Sequence, residues 1–379
     1  MSFFRNDAIN RVNLQSGVQA LAQNAGGLFV LVFLLRAGVS VPHAFLAQAG
    51  IVAGRFVIRP ALLPLARRLG LKPLLIAGAI ALGAQYPILA EVHGLGPAFL
   101  GFCAASALGE VLYFVSYNAY FAALGDLEHR GRQVAVGQAL SAAAGVVAPV
   151  LGGWALVAAG PRWTFGAVAL VQMASAIPLL GLPNVPVRWS APGAWRAAWP
   201  AVALIAVDGW FDAAFFFVWQ IALFLTLGES YSAYGGAMAL AGLAGAVAGL
   251  AVGHHTDLGQ GRRTVTLAYA AAAAVVLLRA GSLGSPMLAA AANALGGLVM
   301  PLLVPPLASA VQNLAKSSPC SLRVMMATEG GWDVGCFTAC LLAAGLAALK
   351  APLWLGVLLA LPAITLGWRL LLRQYPRPT

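Results

Sequence analysis

Residues 28–35 read Leu28-Phe29-Val30-Leu31-Val32-Phe33-Leu34-Leu35, and residues 270–278 read AAAAAVVLL. Neither stretch alternates apolar with polar residues, so neither is a strand with one wet face. Each belongs to an apolar run of about 20 residues, the helix length that crosses about 30 Å of hydrocarbon. A barrel strand would show a period of two, and lipid offers the backbone no hydrogen bonds, so the continuous runs point to membrane-spanning helices. The whole chain supports this, being 61% hydrophobic and only 9% charged, with mean hydropathy +0.86 over 379 residues. A soluble domain carries about 25% charged residues. The surplus apolar surface has to face lipid.

Working outward, Gly, Pro and charge interrupt the apolar runs often enough to give twelve spans. They are expected at 12–36, 43–66, 71–92, 96–124, 132–158, 162–182, 199–227, 231–254, 263–282, 286–315, 322–347 and 351–373. The longest polar connection divides an N-terminal six-helix half, 1–182, from a C-terminal half, 199–379. This linker, 183–198, carries VPVRWSAPGAW, with Trp and Arg at the close spacing of an interfacial segment.

The net charge of +11 suggests nucleic acid in a soluble protein. Here the bases cluster at the ends of apolar runs instead, so no nucleic-acid partner is expected. With the N-terminus inside, sixteen of the 22 Lys and Arg fall in cytoplasmic segments, from Arg5 to Arg377. Four (Arg36, Arg162, Arg279 and Lys350) fall outside, and Arg55 and Arg59 lie within span two. This places both termini in the cytoplasm and fits a bacterial inner membrane. The N-terminal residues show no short apolar region before a cleavage site, so span one is expected to act as its own insertion signal.

Two loops narrow the reading. Between spans eight and nine stands Gly253-His254-His255-Thr256-Asp257-Leu258-Gly259-Gln260-Gly261-Arg262-Arg263; between spans two and three stands Pro64-Leu65-Ala66-Arg67-Arg68-Leu69-Gly70-Leu71-Lys72. Six plus six helices with these loops resemble the major facilitator superfamily, whose signature G-x-x-x-D-R-x-G-R-K recurs in degenerate form. The second copy keeps glycine, acid, glycine and two bases, with one extra residue after Asp257. In the first, Arg67 stands where the acid is usual, which departs from the charge relay that the resemblance implies. Span five carries Gly145-Val146-Val147-Ala148-Pro149-Val150-Leu151-Gly152-Gly153, similar to the tail of a glycine-rich motif of the family's antiporters. Gly and Ala at such positions also simply permit close helix packing in lipid. The resemblance implies a secondary transporter working by alternating access, with a small-molecule substrate and protons as partners, as a monomer and without a cofactor.

Ionisable groups inside a span cost about 2.5–3.5 kcal/mol each on insertion scales, so each is a functional candidate. Seven qualify: Arg55, Arg59, Glu110, Asp208, Asp212, Glu329 and Asp333. Arg55/Arg59, Asp208/Asp212 and Glu329/Asp333 are i, i+4 pairs, each on one helix face. By depth, Arg59 matches Glu329 and Arg55 matches Asp333, which predicts a latch between the halves. The alternative is bridging within one half, or exposure to a wet vestibule. With both latch pairs formed, Glu110, Asp208 and Asp212 have no base. Three carboxylates in a poorly hydrated cavity cannot all stay ionised, the behaviour a proton-coupling site requires. Their excess would also suit a cationic solute.

Gln15, Gln19 and Gln23 form an i, i+4 stripe on span one, beside Asn24. Amides facing lipid would be unsatisfied, so the stripe reads as cavity lining or as interhelical bonding. Tyr113, Tyr117, Asn118 and Tyr120 give span four a similar face. Trp210, Phe211, Phe215, Trp219 and Gln220 surround the acids of span seven, either as walls for an amphipathic organic solute or as lipid-facing rings. His254 and His255 read as a loop turn rather than a metal site. Cys103, Cys320, Cys336 and Cys340 have no zinc or disulfide spacing. No phosphate-cradling loop and no clustered nucleophile appears, so neither ATP drive nor an enzyme is expected. Export in exchange for protons is the preferred direction, with proton symport inward and a non-transporting sensor as alternatives.

Overall fold

A computed structural model describes residues 6–125, 130–187, 192–253, 261–316, 318 and 320–375. Eleven of its helices are long and apolar enough to cross a membrane. The chain forms two compact units, residues 1–38 with 54–190, and residues 39–53 with 191–379.

The first unit begins with α1 (Asp7–Ala25), a 3-10 turn over Gly27–Phe29 and α2 (Val30–Arg36). Asn6 caps α1, its Oδ1 accepting from the Ile9 N–H at 3.1 Å. There follow α3 (Val41–Leu69), α4 (Leu71–Ala90), α5 (Pro97–Leu124), α6 (Arg130–Ala158) and α7 (Pro161–Ala174). Of α3, the residues from Gly54 onward belong to this unit and those up to Ala53 to the other.

Small residues set the packing. A Cβ on Gly78 would meet the Tyr113 backbone N at 2.5 Å, and one on Gly109 the Leu82 N at 2.8 Å, so α4 and α5 lie backbone to backbone. Gly152 of α6 is pressed likewise against the Ala25 carbonyl of α1. The glycine-rich tail of span five thus has a packing role at Gly152.

The sixth span is shorter than the expected 162–182. The α-helix stops at Ala174 and passes into a 3-10 turn over Ile177–Leu179. The Ser175 hydroxyl donates to the Gln172 carbonyl at 2.6 Å, and Pro178 brings no N–H, so the chain tightens to i, i+3 bonding, as in Leu179 N–H to Ala176 O.

The second unit holds α8 (Ala194–Ala197), α9 (Trp199–Asp212), α10 (Trp219–Thr226), α11 (Tyr231–Gly253) and α12 (Gly261–Ser282). It ends with α13 (Pro286–Gly297), α14 (Met300–Lys316), α15 (Ser321–Ala348), α16 (Leu353–Leu358) and α17 (Ala360–Leu372). A six-residue π turn, Ala213–Val218, joins α9 to α10, so that Trp199–Thr226 is one membrane-length element. Cys336 and Cys340 of α15 are core residues here, packed with Ala49, Val52, Ala213 and Ala339.

Candidate functional site

In the first unit the polar side chains are largely spoken for. Gln15 is fully buried, and its Nε2 donates to the Tyr113 hydroxyl at 2.8 Å. Tyr113 stacks on Tyr117 with centroids 5.9 Å apart, and Tyr117 meets Ser16 of α1. The glutamine stripe does not continue as one surface. Gln19 is buried, Gln23 is exposed against Gly27, and Asn24 bonds its own helix at the Ala20 carbonyl, 2.8 Å away. Asn118 is exposed, and Tyr120 donates to the Pro183 carbonyl at 2.7 Å. Gln15 Oε1, the Tyr86 hydroxyl, Ser116 Oγ, Thr164 Oγ1 and Gln172 Nε2 are buried with no hydrogen-bond partner among the described residues.

The expectation that Glu110 has no base is corrected. Arg55 Nη1 lies 2.9 Å from Glu110 Oε2, with the two side chains only 6% and 23% exposed. The reason is steric. A Cβ on Gly54 would come within 2.9 Å of the Ala107 Cβ, so α3 and α5 approach closely enough for this ion pair one turn further on. Arg59 and Asp333 are buried and Glu329 is half-buried. Pairing them across the halves remains a reading of depth along spans two and eleven.

The second unit treats its charge differently. The α9 and α15 backbones touch, since Cβ atoms on Gly209 and Gly335 would run into the Trp332 and Ala206 carbonyls. This close crossing lets Trp332 Nε1 donate to Asp212 Oδ2 at 2.9 Å, while Asp212 Oδ1 is buried without a partner. Asp208 stands one turn earlier, within electrostatic reach of Tyr269 on α12. Neither aspartate has an ion-pair partner among the described residues. Trp210 Nε1 is tied to the Leu359 carbonyl at 2.8 Å.

The rings beyond the acids face the interior of this unit rather than lipid. Phe211, Phe215 and Trp219 are at most 5% exposed, and Gln220 is buried with them. Trp219 Nε1 donates to Asn293 Oδ1 at 2.9 Å, and Asn293 Nδ2 donates to the Ala237 carbonyl at 2.8 Å. Into this cluster comes a residue the sequence reading misplaced. Arg279, counted there among the outside bases at the end of span nine, is 3% exposed; its guanidinium carbon stands 4.0 Å from the Phe215 centroid and 4.8 Å from that of Trp219. Helix α12 ends at Ser282, as the expected span 263–282 does, so Arg279 lies one turn inside the helix; what the charge count could not register is that its side chain turns onto the two rings.

The two loops do matching work within their own units. Lys72 Nζ donates to the Leu182 carbonyl at 2.7 Å, beyond the end of α7, and the Asn184 amide reaches back to the Leu69 carbonyl at 2.7 Å. Gly70 has φ +82°, and a Cβ there would collide with Asn184, so glycine is required twice over. In the second copy Arg262 Nη1 donates to the carbonyls of Leu372, at 2.7 Å, and Tyr375, at 3.0 Å, closing the end of α17. Gly253 ends α11 and Gly261 begins α12; Asp257 and both histidines lie outside the described residues. Arg68 and Arg263 are exposed, and Arg67 is half-buried.

The sequence profile of the Major Facilitator Superfamily matches residues 16–338. The chain belongs to that superfamily. Among solved structures this major facilitator protein is similar to a bacterial homologue of the iron transporter ferroportin in an inward-facing state. The TM-score is 0.70 at 13% identity, over 98% of this chain and 99% of that one. It is similar also to the POT family transporter PepTSo, with TM-score 0.71 at 11% identity, over 97% and 98% of the two chains. At such identities the likeness is one of fold. No curated protein matches the chain in sequence. Fold and family together make this a multi-pass membrane transporter, as the two loops and twelve spans led us to expect.

Proposed function

We propose that this protein is a secondary transporter of a small amphipathic organic solute, coupled to protons through Asp208 and Asp212. The observation that carries the reading is the state of those two carboxylates. They sit one turn apart on α9, the first near a tyrosine and the second held by an indole N–H, and neither is paired with a base among the described residues. Ionised groups without a counterion are costly inside a membrane, so an ionised pair there needs a partner that comes and goes. A proton is the smallest such partner, and a cationic or amphipathic solute is another. Glu110, neutralised by Arg55, is assigned to the ion pair instead.

The rings beside the acids, Phe211, Phe215 and Trp219, suit an amphipathic organic solute better than a bare inorganic ion. The test is proton movement in liposomes holding the purified protein, recorded as sugars, amino acids, organic cations and amphipathic drugs are added. A solute-dependent proton flux that vanishes in Asp208→Asn/Asp212→Asn supports the reading. Solute uptake that persists in that variant with its proton stoichiometry intact rejects it.

A further inference from the structure

Span seven contains a fault in its hydrogen-bond ladder at the place where the acids end and the aromatic cluster begins. In an α-helix the Trp219 N–H would donate to the Phe215 carbonyl, four residues back. At the end of the π turn, whose own bonds run five residues back, it points to the Phe216 carbonyl, three residues back, instead. A carbonyl released in this way inside a membrane needs another donor. Arg279 supplies one: its Nη1 lies 2.7 Å from the Phe215 oxygen. The same guanidinium lies over the rings of Phe215 and Trp219, so it binds both the backbone and the side chains of the turn.

Arg279 has no acidic partner among the described residues; its contacts are this carbonyl, the two rings and the Ser282 hydroxyl at its own carbonyl. A buried cation without an anion is expensive, which a residue needed only for helix packing would not have to be. The room for it is made by Gly296 of α13, where a Cβ would collide with Arg279 Nη2 and stand 2.8 Å from its Cζ. The guanidinium fills that space, so it is a clasp and not the wall of an anion pocket.

We propose that Arg279 is a positioning residue: it holds the π turn of span seven open and thereby sets the direction in which the Asp208/Asp212 face points. A π turn carries one residue more than an α turn. Closing it would rotate Trp199–Asp212 against Trp219–Thr226 by about 100°, the angle of one residue. Asp212 could not then keep both its place against Trp332 and its relation to Trp219. The functional weight of this inference rests on the acids being the coupling site, but the geometry it predicts is measurable without transport.

The experiment uses the full chain in nanodiscs, as wild type, Arg279→Lys and Gly296→Ala. The lysine keeps the charge and loses the fork. The alanine leaves the arginine in place and displaces its guanidinium, which keeps the test open if the Arg279 variant folds poorly. Two readouts are taken: amide exchange across residues 208–220, and the rate at which dicyclohexylcarbodiimide modifies Asp208 and Asp212. Both variants are expected to speed exchange at Ala213–Val218 about tenfold or more, with α12 unaffected, and to change the carbodiimide rate at Asp212 at least about threefold. Exchange that rises along α12 while the turn and the Asp212 rate stay at wild-type values overturns the proposal. If wild type shows no proton flux, the coupling reading fails by itself, and these two readouts still decide whether Arg279 sets the turn.

Discussion

The two units handle buried charge in opposite ways. In the first, Arg55 and Glu110 neutralise each other at 2.9 Å. In the second, Asp208 and Asp212 lie on one side of a π turn with no base among the described residues, and Arg279 lies on the other with no acid among them. Opposite charges in one unit could have been paired; instead a backbone carbonyl and two rings satisfy the cation, and an indole N–H holds one of the acids. A paired charge is a structural fixture, since separating it leaves each partner uncompensated. Charges kept apart stay available to a mobile ion or solute. On the function proposed above, the coupling chemistry belongs to the second unit, and the paired charge of the first belongs to its frame.

The sharpest way to break this contrast is at the acids. Asp208→Asn/Asp212→Asn should lower solute-driven proton flux in liposomes by about two orders of magnitude or more, the range lost with a proton-transferring group. Stability should change little, because no ion pair is broken.

At the Arg55–Glu110 pair the pattern should invert. Glu110→Gln removes this largely buried ion pair and should cost about 2–3 kcal/mol in unfolding experiments. The double variant Arg55→Met/Glu110→Gln should recover most of that loss. Proton coupling should survive in both. Flux that collapsed in the double variant, with folding intact, would move Glu110 back among the coupling residues.

The paired loops offer a finer comparison. Lys72→Met and Arg262→Met each remove charge-assisted bonds to helix-end carbonyls, worth about 1 kcal/mol or less at these half-open sites. The first should speed proteolysis around Pro183–Val187 and the second around Gln374. If each variant loosened both places equally, the clamps would not be local devices.

The smallest effect belongs to an exposed pair at the end of α4. Arg162 donates two hydrogen bonds to the Glu91 carboxylate, at 2.8 and 3.0 Å, and holds its pKa below the usual carboxylate range. A lowered folded-state pKa gives stabilisation that is complete above the ordinary value of about 4.3 and is lost as pH falls through the folded value. Unfolding followed between pH 6 and 3 at low salt (about 0.01 M, where screening is weak) should show a slight acid-side loss that Glu91→Gln removes.

Much of the fold was legible because hydropathy reports directly on solvent, and solvent decides the class of structure here. The sixth span was overextended because its apolar run continues past the point where Ser175 and Pro178 end the α-helix. The acids of α9 were legible from their spacing alone. Their partners were not, because Trp332 lies 120 residues away and is brought there by Gly209 and Gly335. Glu110 was misjudged for the same reason: pairing by depth could not register that Gly54 and Ala107 draw span four towards span two. Arg279 was counted among the outside bases although its span, 263–282, already enclosed it, because counting charge by side could not register that it turns onto Phe215 and Trp219. The loop motifs showed which bases matter but not what they hold, since their targets are backbone carbonyls, which every residue has.

Lys72 and Arg262 stand 190 residues apart, and so do Leu182 and Leu372, the carbonyls they hold. Each half thus carries the same fastening just past its last helix. For the experimenter this turns the C-terminal segment into a handle. A spin label on a cysteine at Gln374, between the two carbonyls that Arg262 grips, would ride with α12 and report its displacement during turnover.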